Sequence, residues 1–227
     1  HTLHHASTGN LDSRGVGDVD TLTVREFRSR SRLGRLAYRA YRHPVVMLGV
    51  GPAYLFLLRH RLPIGLMKEG AQYWVSALAT NFATAGFLAV LMAFFGIGTT
   101  LLVVIPTVLV AATMGVWLFY VQHQFEEAHW DRREDWEFHE AALKGSSYLD
   151  LPQPLRWFTG NIGMHHVHHL ASRIPFYRLP SVLKAYPQLR ELNRLTVPQT
   201  FRPLILTLWD EEQRRLVSFR EAAVRAA

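Results

Sequence analysis

The 227-residue chain contains no cysteine. That absence removes thiolate zinc sites and iron–sulfur clusters from its chemistry, and it fits a reducing compartment without establishing one. Basic charge is missing from one long stretch: residues 71–130 hold no lysine or arginine, although residues 1–70 hold 11 and residues 131–227 hold 14. Residues 72–121 also contain no Asp, Glu or His. This argues against a zinc transporter, whose route needs ionisable groups inside its spans. No signal peptide, linker or internal repeat stands out, apart from one histidine pattern.

With 49% hydrophobic and 19% charged residues, the average composition passes for a soluble protein, but the uneven charge reads as a membrane pattern. Residues 72–95 and 99–121 are each long enough, at about 1.5 Å per residue, to cross a hydrocarbon core of about 30 Å. Only GIG, residues 96–98, separates them, which predicts a tight turn. A net charge of +7 and a pI near 10 would suit a nucleic-acid partner. The basic residues, however, flank the apolar pair on both sides and avoid its turn, as the positive-inside pattern requires. The expected fold class is an all-α integral membrane helical protein. A transmembrane hairpin over residues 72–121 joins a cytoplasmic helical cap formed by residues 1–70 and 122–227, with both chain ends cytoplasmic and no nucleic acid bound. The apolar piece 45–58 is too short to span comfortably and reads as interfacial or re-entrant. Residues 28–43 read as a basic, tyrosine-bearing helix, suited to an anionic membrane surface or to plain solvation.

Seven of the twelve histidines fall in two short runs, HTLHH at residues 1–5 and GNIGMHHVHHL at residues 160–170. Both contain His-x-x-His-His, as His1, His4, His5 and as His165, His168, His169. On a helix, positions i, i+3 and i+4 share a face, so each run is expected to aim three imidazoles at one point. Converging neutral imidazoles suit a metal, with iron or zinc open on chemistry alone.

These runs and their surroundings resemble the membrane fatty acid desaturases, specifically the bacterial acyl-lipid, delta-12/omega-6-like type. The resemblance extends through YRAYRHPVVMLGVGPAYLFLLRHRLP, VQHQFEEAHW, GSSYLDLP and the run that ends in ASRIPFYRLP. It implies one fatty-acid-desaturase domain over residues 1–227, with the second histidine box in 1–70 and the third in 122–227. It further implies two irons held by His1, His4, His5, His165, His168 and His169, with His123 as an additional ligand after the hairpin. His166 would face away or hydrogen-bond a ligand ring, Asn161 would support the site through water, and Asp12 and Asp18 would hydrogen-bond ligand imidazoles or serve only the turn around Gly15 and Gly17. The activity implied is O2-dependent insertion of a double bond into the acyl chain of a lipid in the bilayer. Electrons would come from an external donor such as ferredoxin or a cytochrome b5-type protein, and the location would be a bacterial inner membrane, crossed more than once. Members of this family carry a first box at the end of an earlier hairpin, and nothing of that kind precedes His1. The expectation is therefore an N-terminally truncated fragment, inactive alone.

A related diiron membrane hydroxylase shares every implied ligand and stays open as an alternative; a non-catalytic zinc-binding membrane protein is the alternative of another class. Trp74, Phe82, Trp117 and Phe119 are candidates for lining an acyl tunnel, or equally for facing lipid. Thr80, Asn81 and Thr84 inside the first span are expected to bond between helices.

Overall fold

The computed structural model describes residues 2–14 and 19–224. In chain order its helices are α1 (Thr2–Ser7), α2 (Val24–Ser29), α3 (Arg32–Tyr41), α4 (Gly51–Leu57), α5 (Ala71–Phe95), α6 (Ile97–His123), α7 (Phe138–Lys144), α8 (Gln153–Phe158), α9 (His165–Leu170), α10 (Leu179–Ala185) and α11 (Phe219–Val224). Short strands are interleaved with them: β1 (Leu22–Thr23), β2 (Tyr148–Asp150), β3 (Arg194–Thr196), β4 (Leu208–Asp210) and β5 (Arg215–Val217). The chain is mostly helical, but it is not all-α. Strands of two or three residues are too short to show a period of two in the sequence.

The chain divides into two compact units, residues 40–117 and residues 1–39 with 118–227. The first holds α5 and all but the last six residues of α6; these helices have 25 and 27 residues and are long and apolar enough to cross a membrane. Their sequences are apolar on every side, as expected where the surroundings are lipid. The break between them is one residue, not three. Gly96 takes φ +79, a left-handed conformation that costs glycine little, and Ile97 and Gly98 already belong to α6. The hydroxyls of Thr80 and Thr84 do not bond between helices. They donate to Ser76 and Thr80 carbonyls one turn back in α5, at 2.9 and 2.8 Å, which satisfies them within the helix. Asn81 Nδ2 donates to the Arg61 carbonyl at 2.7 Å. The 45–58 piece forms a π-helical turn, Val46–Val50, running into α4.

In the second unit, β1 pairs in parallel with β4, and β4 antiparallel with β5. Leu11, Phe125, Trp130, Trp209 and Leu216 pack on one side of this sheet, and Phe27, Tyr38, Leu208 and Val217 form a neighbouring cluster. The loop after α1 is tied down by Arg14, which donates both guanidinium branches to Glu26 at 2.9 and 2.6 Å. Glu26 also closes a capping box with Thr23 at the start of α2, so one carboxylate secures both a loop and a helix start.

The bed for the third histidine run is a separate core. Tyr148, Met164, Val167, Leu179 and Leu183 are all buried around α9 and α10, each contributing about 1.5–3 kcal/mol on burial. β2 runs beside this core, and Leu149 N donates to the Gly163 carbonyl at 2.8 Å. A Cβ on Gly163 would run into the Leu149 carbonyl oxygen, so only glycine lets strand and run approach this closely.

Candidate metal centre

Four imidazoles from three remote segments meet at one buried point. His4 comes from α1, His123 is the last residue of α6, and His165 and His169 stand one turn apart on α9. Their ligand atoms all lie within 4.8 Å of one another. The Nε2 atoms are 3.2 Å apart for His4 and His123, 2.9 Å for His123 and His165, and 3.1 Å for His165 and His169. All four residues are buried.

These contacts do not work well as hydrogen bonds alone. A neutral imidazole nitrogen offers either one N–H or one lone pair, yet the Nε2 atoms of His123 and His165 each face two neighbours. A cation at the centre resolves the conflict by taking all four lone pairs. Metal–nitrogen bonds of about 2.0–2.1 Å place adjacent donor atoms roughly 2.9–3.4 Å apart, and the observed separations of 2.9–3.2 Å fall in that range. The residues present therefore fit a metal ion, and the donor set is nitrogen only.

Burial also keeps the rings in the ligand form. Desolvation, followed by the charges of neighbouring histidines, pushes His165 and His169 well below the usual imidazole range. His5 falls to about 4, chiefly by burial and then by His168, and His168 is lowered mainly by burial. At neutral pH these rings are uncharged and present lone pairs.

The three-imidazole face expected of each run is divided. Within the third run, His165 and His169 join the cluster, while His168 turns to its side and meets His5 edge-on, with centroids 4.6 Å apart. Positions i and i+4 differ by about 40° around a helix and i and i+3 by about 60° the other way, so 168 and 169 diverge. His5 stacks on His169 at 4.1 Å, placing the His5–His168 pair directly beside the four-imidazole group. His1 and Asp18 lie outside the described residues.

The residues expected to support the ligands have other partners. His166 is wholly buried on another side of α9, its Nε2 2.9 Å from the Leu189 carbonyl. Asn161 has φ +53 and donates Nδ2 to the Phe176 carbonyl at 3.1 Å. Asp12 accepts from Arg132 at 2.6 Å and from the Arg133 amide at 3.0 Å, and these donors hold its carboxyl below the ordinary range.

Phe119, weighed in the sequence only as a tunnel or lipid-facing residue, packs its ring 5.3 Å from His4 and 4.7 Å from His123. Its place one turn before His123 was the available signal. Gly163 escaped notice because nothing local marks a close backbone approach. A second group, His129, Asp131 and Glu140, also comes together. There the Arg214 guanidinium reaches Asp131 at 2.6 Å and His129 at 2.9 Å, so a cation already answers the acid.

Comparison with known proteins bears on this geometry. The family model described as fatty acid desaturase matches residues 1–200. A protein of Bacillus subtilis (strain 168) named fatty acid desaturase is 42% identical over 222 residues, covering 97% of this chain and 62% of that protein. An sn-1 acyl-lipid omega-3 desaturase (ferredoxin) of Nostoc sp. (strain 36) is 28% identical over 223 residues, covering 92% of this chain and 57% of that protein. The chain thus spans about six-tenths of the length of these curated relatives.

Proposed function

Because the chain belongs to the fatty acid desaturase family, we propose that it supplies the metal-holding and membrane-spanning part of an enzyme that inserts a double bond into the acyl chain of a membrane lipid. In the balanced reaction, a CH2–CH2 unit loses two hydrogens, one O2 becomes two waters, and an external donor provides two electrons alongside two protons from solvent. The observation that carries the proposal is the convergence of four buried Nε2 atoms from residues 4, 123, 165 and 169.

The proposed cofactor is a pair of irons, which when bound supplies the oxidising power that no side chain has toward an unactivated methylene. His4, His123, His165 and His169 surround one position, and His5 and His168 serve the adjacent one. The chain's own work is to keep these rings neutral and aligned, to exclude water by burial, and to present the acyl tail. Phe119, against two ligand rings, is placed to limit how close that tail comes. The Nostoc relative is named for ferredoxin, which supports a small iron–sulfur protein as the electron donor.

The proposed topology has α5 and α6 crossing a bacterial inner membrane, residues 1–70 and 122–227 on the cytoplasmic side, and the Gly96 turn opposite. The charge distribution supports it. Expression of the whole gene in a host without polyunsaturated lipids, followed by gas chromatography of the fatty acids, tests the function. A new double bond is expected, and a hydroxylated product in its place would refute the reading.

A further inference from the structure

The helix α3 is held to the fold by the wrong side for a soluble protein. Its inward residue is Tyr38, which is buried and whose hydroxyl donates to the Thr207 carbonyl at 2.7 Å and accepts from the Leu22 amide at 3.0 Å. Its apolar stripe points out. Leu33, Leu36, Ala37 and Ala40 stand at i, i+3, i+4 and i+7, on one face of the helix. All four are exposed, Leu33 at 75% and Leu36 at 64%. The anchoring tyrosine leaves the helix about 150° away from the centre of that stripe.

The charges beside the stripe have one sign. From Phe27 to Lys68 the sequence contains no Asp or Glu, and residues 28–42 hold six arginines, of which Arg28, Arg30, Arg32 and Arg35 remain at the surface beside α3 while Arg42 is buried. Arg32 lies at the border of the apolar face, where long basic side chains reach phosphate while their stems cover hydrocarbon. Arg39 instead lays its guanidinium over the rings of Phe27 and Phe219, at 5.9 and 5.2 Å, and so helps Tyr38 hold α3 to the fold. Beyond α3 the chain runs within a few residues into the apolar piece containing the exposed Val45 and Val50.

The geometry points to α3 as an in-plane anchor, lying in the headgroup layer with Leu33, Leu36, Ala37 and Ala40 toward the acyl chains and its arginines on the phosphates of anionic lipid. Basic flanks with an apolar face are what such a surface selects. A protein partner would need acids to answer the arginines and is the competing outcome. This inference holds whatever reaction the metal centre performs.

Residues 1–227 contain no cysteine, so only cysteines elsewhere in the whole protein need replacing before the test. Single cysteines at positions 31–41 of the whole protein carry a nitroxide, and the protein is reconstituted in vesicles of phosphatidylcholine with or without phosphatidylglycerol. Collision with O2, which concentrates in hydrocarbon, is compared with collision with a neutral, water-soluble nickel chelate. O2 accessibility should exceed that of the chelate several-fold at 33, 36, 37 and 40, fall at the intervening positions with a helical period, and gain contrast with phosphatidylglycerol. Free access of the chelate at 33 and 36 would show a solvated helix and overturn the inference. Protection from both reagents would show a protein partner and overturn it equally, and a contrast indifferent to phosphatidylglycerol would remove the arginine–phosphate contact from it.

Discussion

The Nε2 atoms of His123 and His165 lie 2.9 Å apart, although 42 residues separate them in the chain. No hydrogen-bonding scheme satisfies both rings, because each also faces a third imidazole. A bound cation is the natural complement of that geometry, and the first prediction follows from it. Alanine at His4, His123, His165 or His169 in the whole protein should abolish product and bound metal. Alanine at His166, whose ring bonds Leu189 instead, should keep the metal while lowering stability by about 2–4 kcal/mol from the lost packing and hydrogen bond. His43, His60 and His139 serve as neutral controls. Metal lost from His166→Ala but kept in His165→Ala would reverse the assignment.

The identity of the metal is open to elemental analysis. The six imidazoles of the four-membered group and its adjacent pair exceed the four ligands that a zinc ion takes. Protein purified without added zinc should therefore contain iron, at about two per chain by the two-metal reading. One zinc and no iron would refute it.

Gly163 is expected to be intolerant although it ligates nothing. Gly163→Ala drives a methyl group against the Leu149 carbonyl, which should cost roughly 1–3 kcal/mol and lower metal content by shifting the start of α9. Wild-type thermal stability and metal content in that variant would show that the strand–run contact is loose.

Arg14 holds the Glu26 carboxyl at about 2, against 4.5 when free. A carboxyl depressed by folding binds fewer protons in the native state, so its stabilisation is complete above pH 4.5 and drains away as pH falls toward 2. Partial exposure limits the contribution to about 1–2 kcal/mol. Denaturant unfolding should find Glu26→Gln weaker by that amount at pH 7 and nearly equal to wild type at pH 2.5. An undiminished gap at pH 2.5 would sink the ion pair as its source.

Topology can be read by cysteine labelling from either side of the membrane. Gly98 suits one probe, since a Cβ there meets nothing. Ser146 does not suit the other because it is fully buried, whereas Glu191, 79% exposed in its side chain, does. The two should label from opposite sides, and labelling from one side would end the hairpin proposal.

The two long helices were legible because charge, the most expensive thing to place in hydrocarbon, is missing over their whole length. Their observed ends differ from the sequence reading by at most two residues. The break was overestimated because GIG looks like a loop, whereas Gly96 alone, at φ +79, separates the two helices. The histidine runs announced a metal but not its layout. Spacing fixes which rings share a helix face, and only packing decides that His168 pairs with His5 while His169 turns inward. Likewise Asp12, near the second box, was open as a support for a ligand or a turn residue, but Arg132, distant in sequence, sets its orientation. No local pattern records such a partner. The strands β1, β2 and β3 were invisible for a related reason, since each exists only through pairing with a segment far along the chain, whereas β4 and β5 pair locally but are too short to show alternation.

The three-segment origin of the imidazole cluster also orders events in time. During synthesis at roughly 5–20 residues per second, His4 leaves the ribosome roughly 8–30 s before His169, given the separation of positions 4 and 169. The apolar residues 71–123 emerge within that interval and can enter the bilayer while half of the cluster is still unmade. On the two-iron reading proposed above, metal loading follows insertion, and a cell starved of iron is expected to accumulate inserted, unmetallated protein rather than protein arrested in solution.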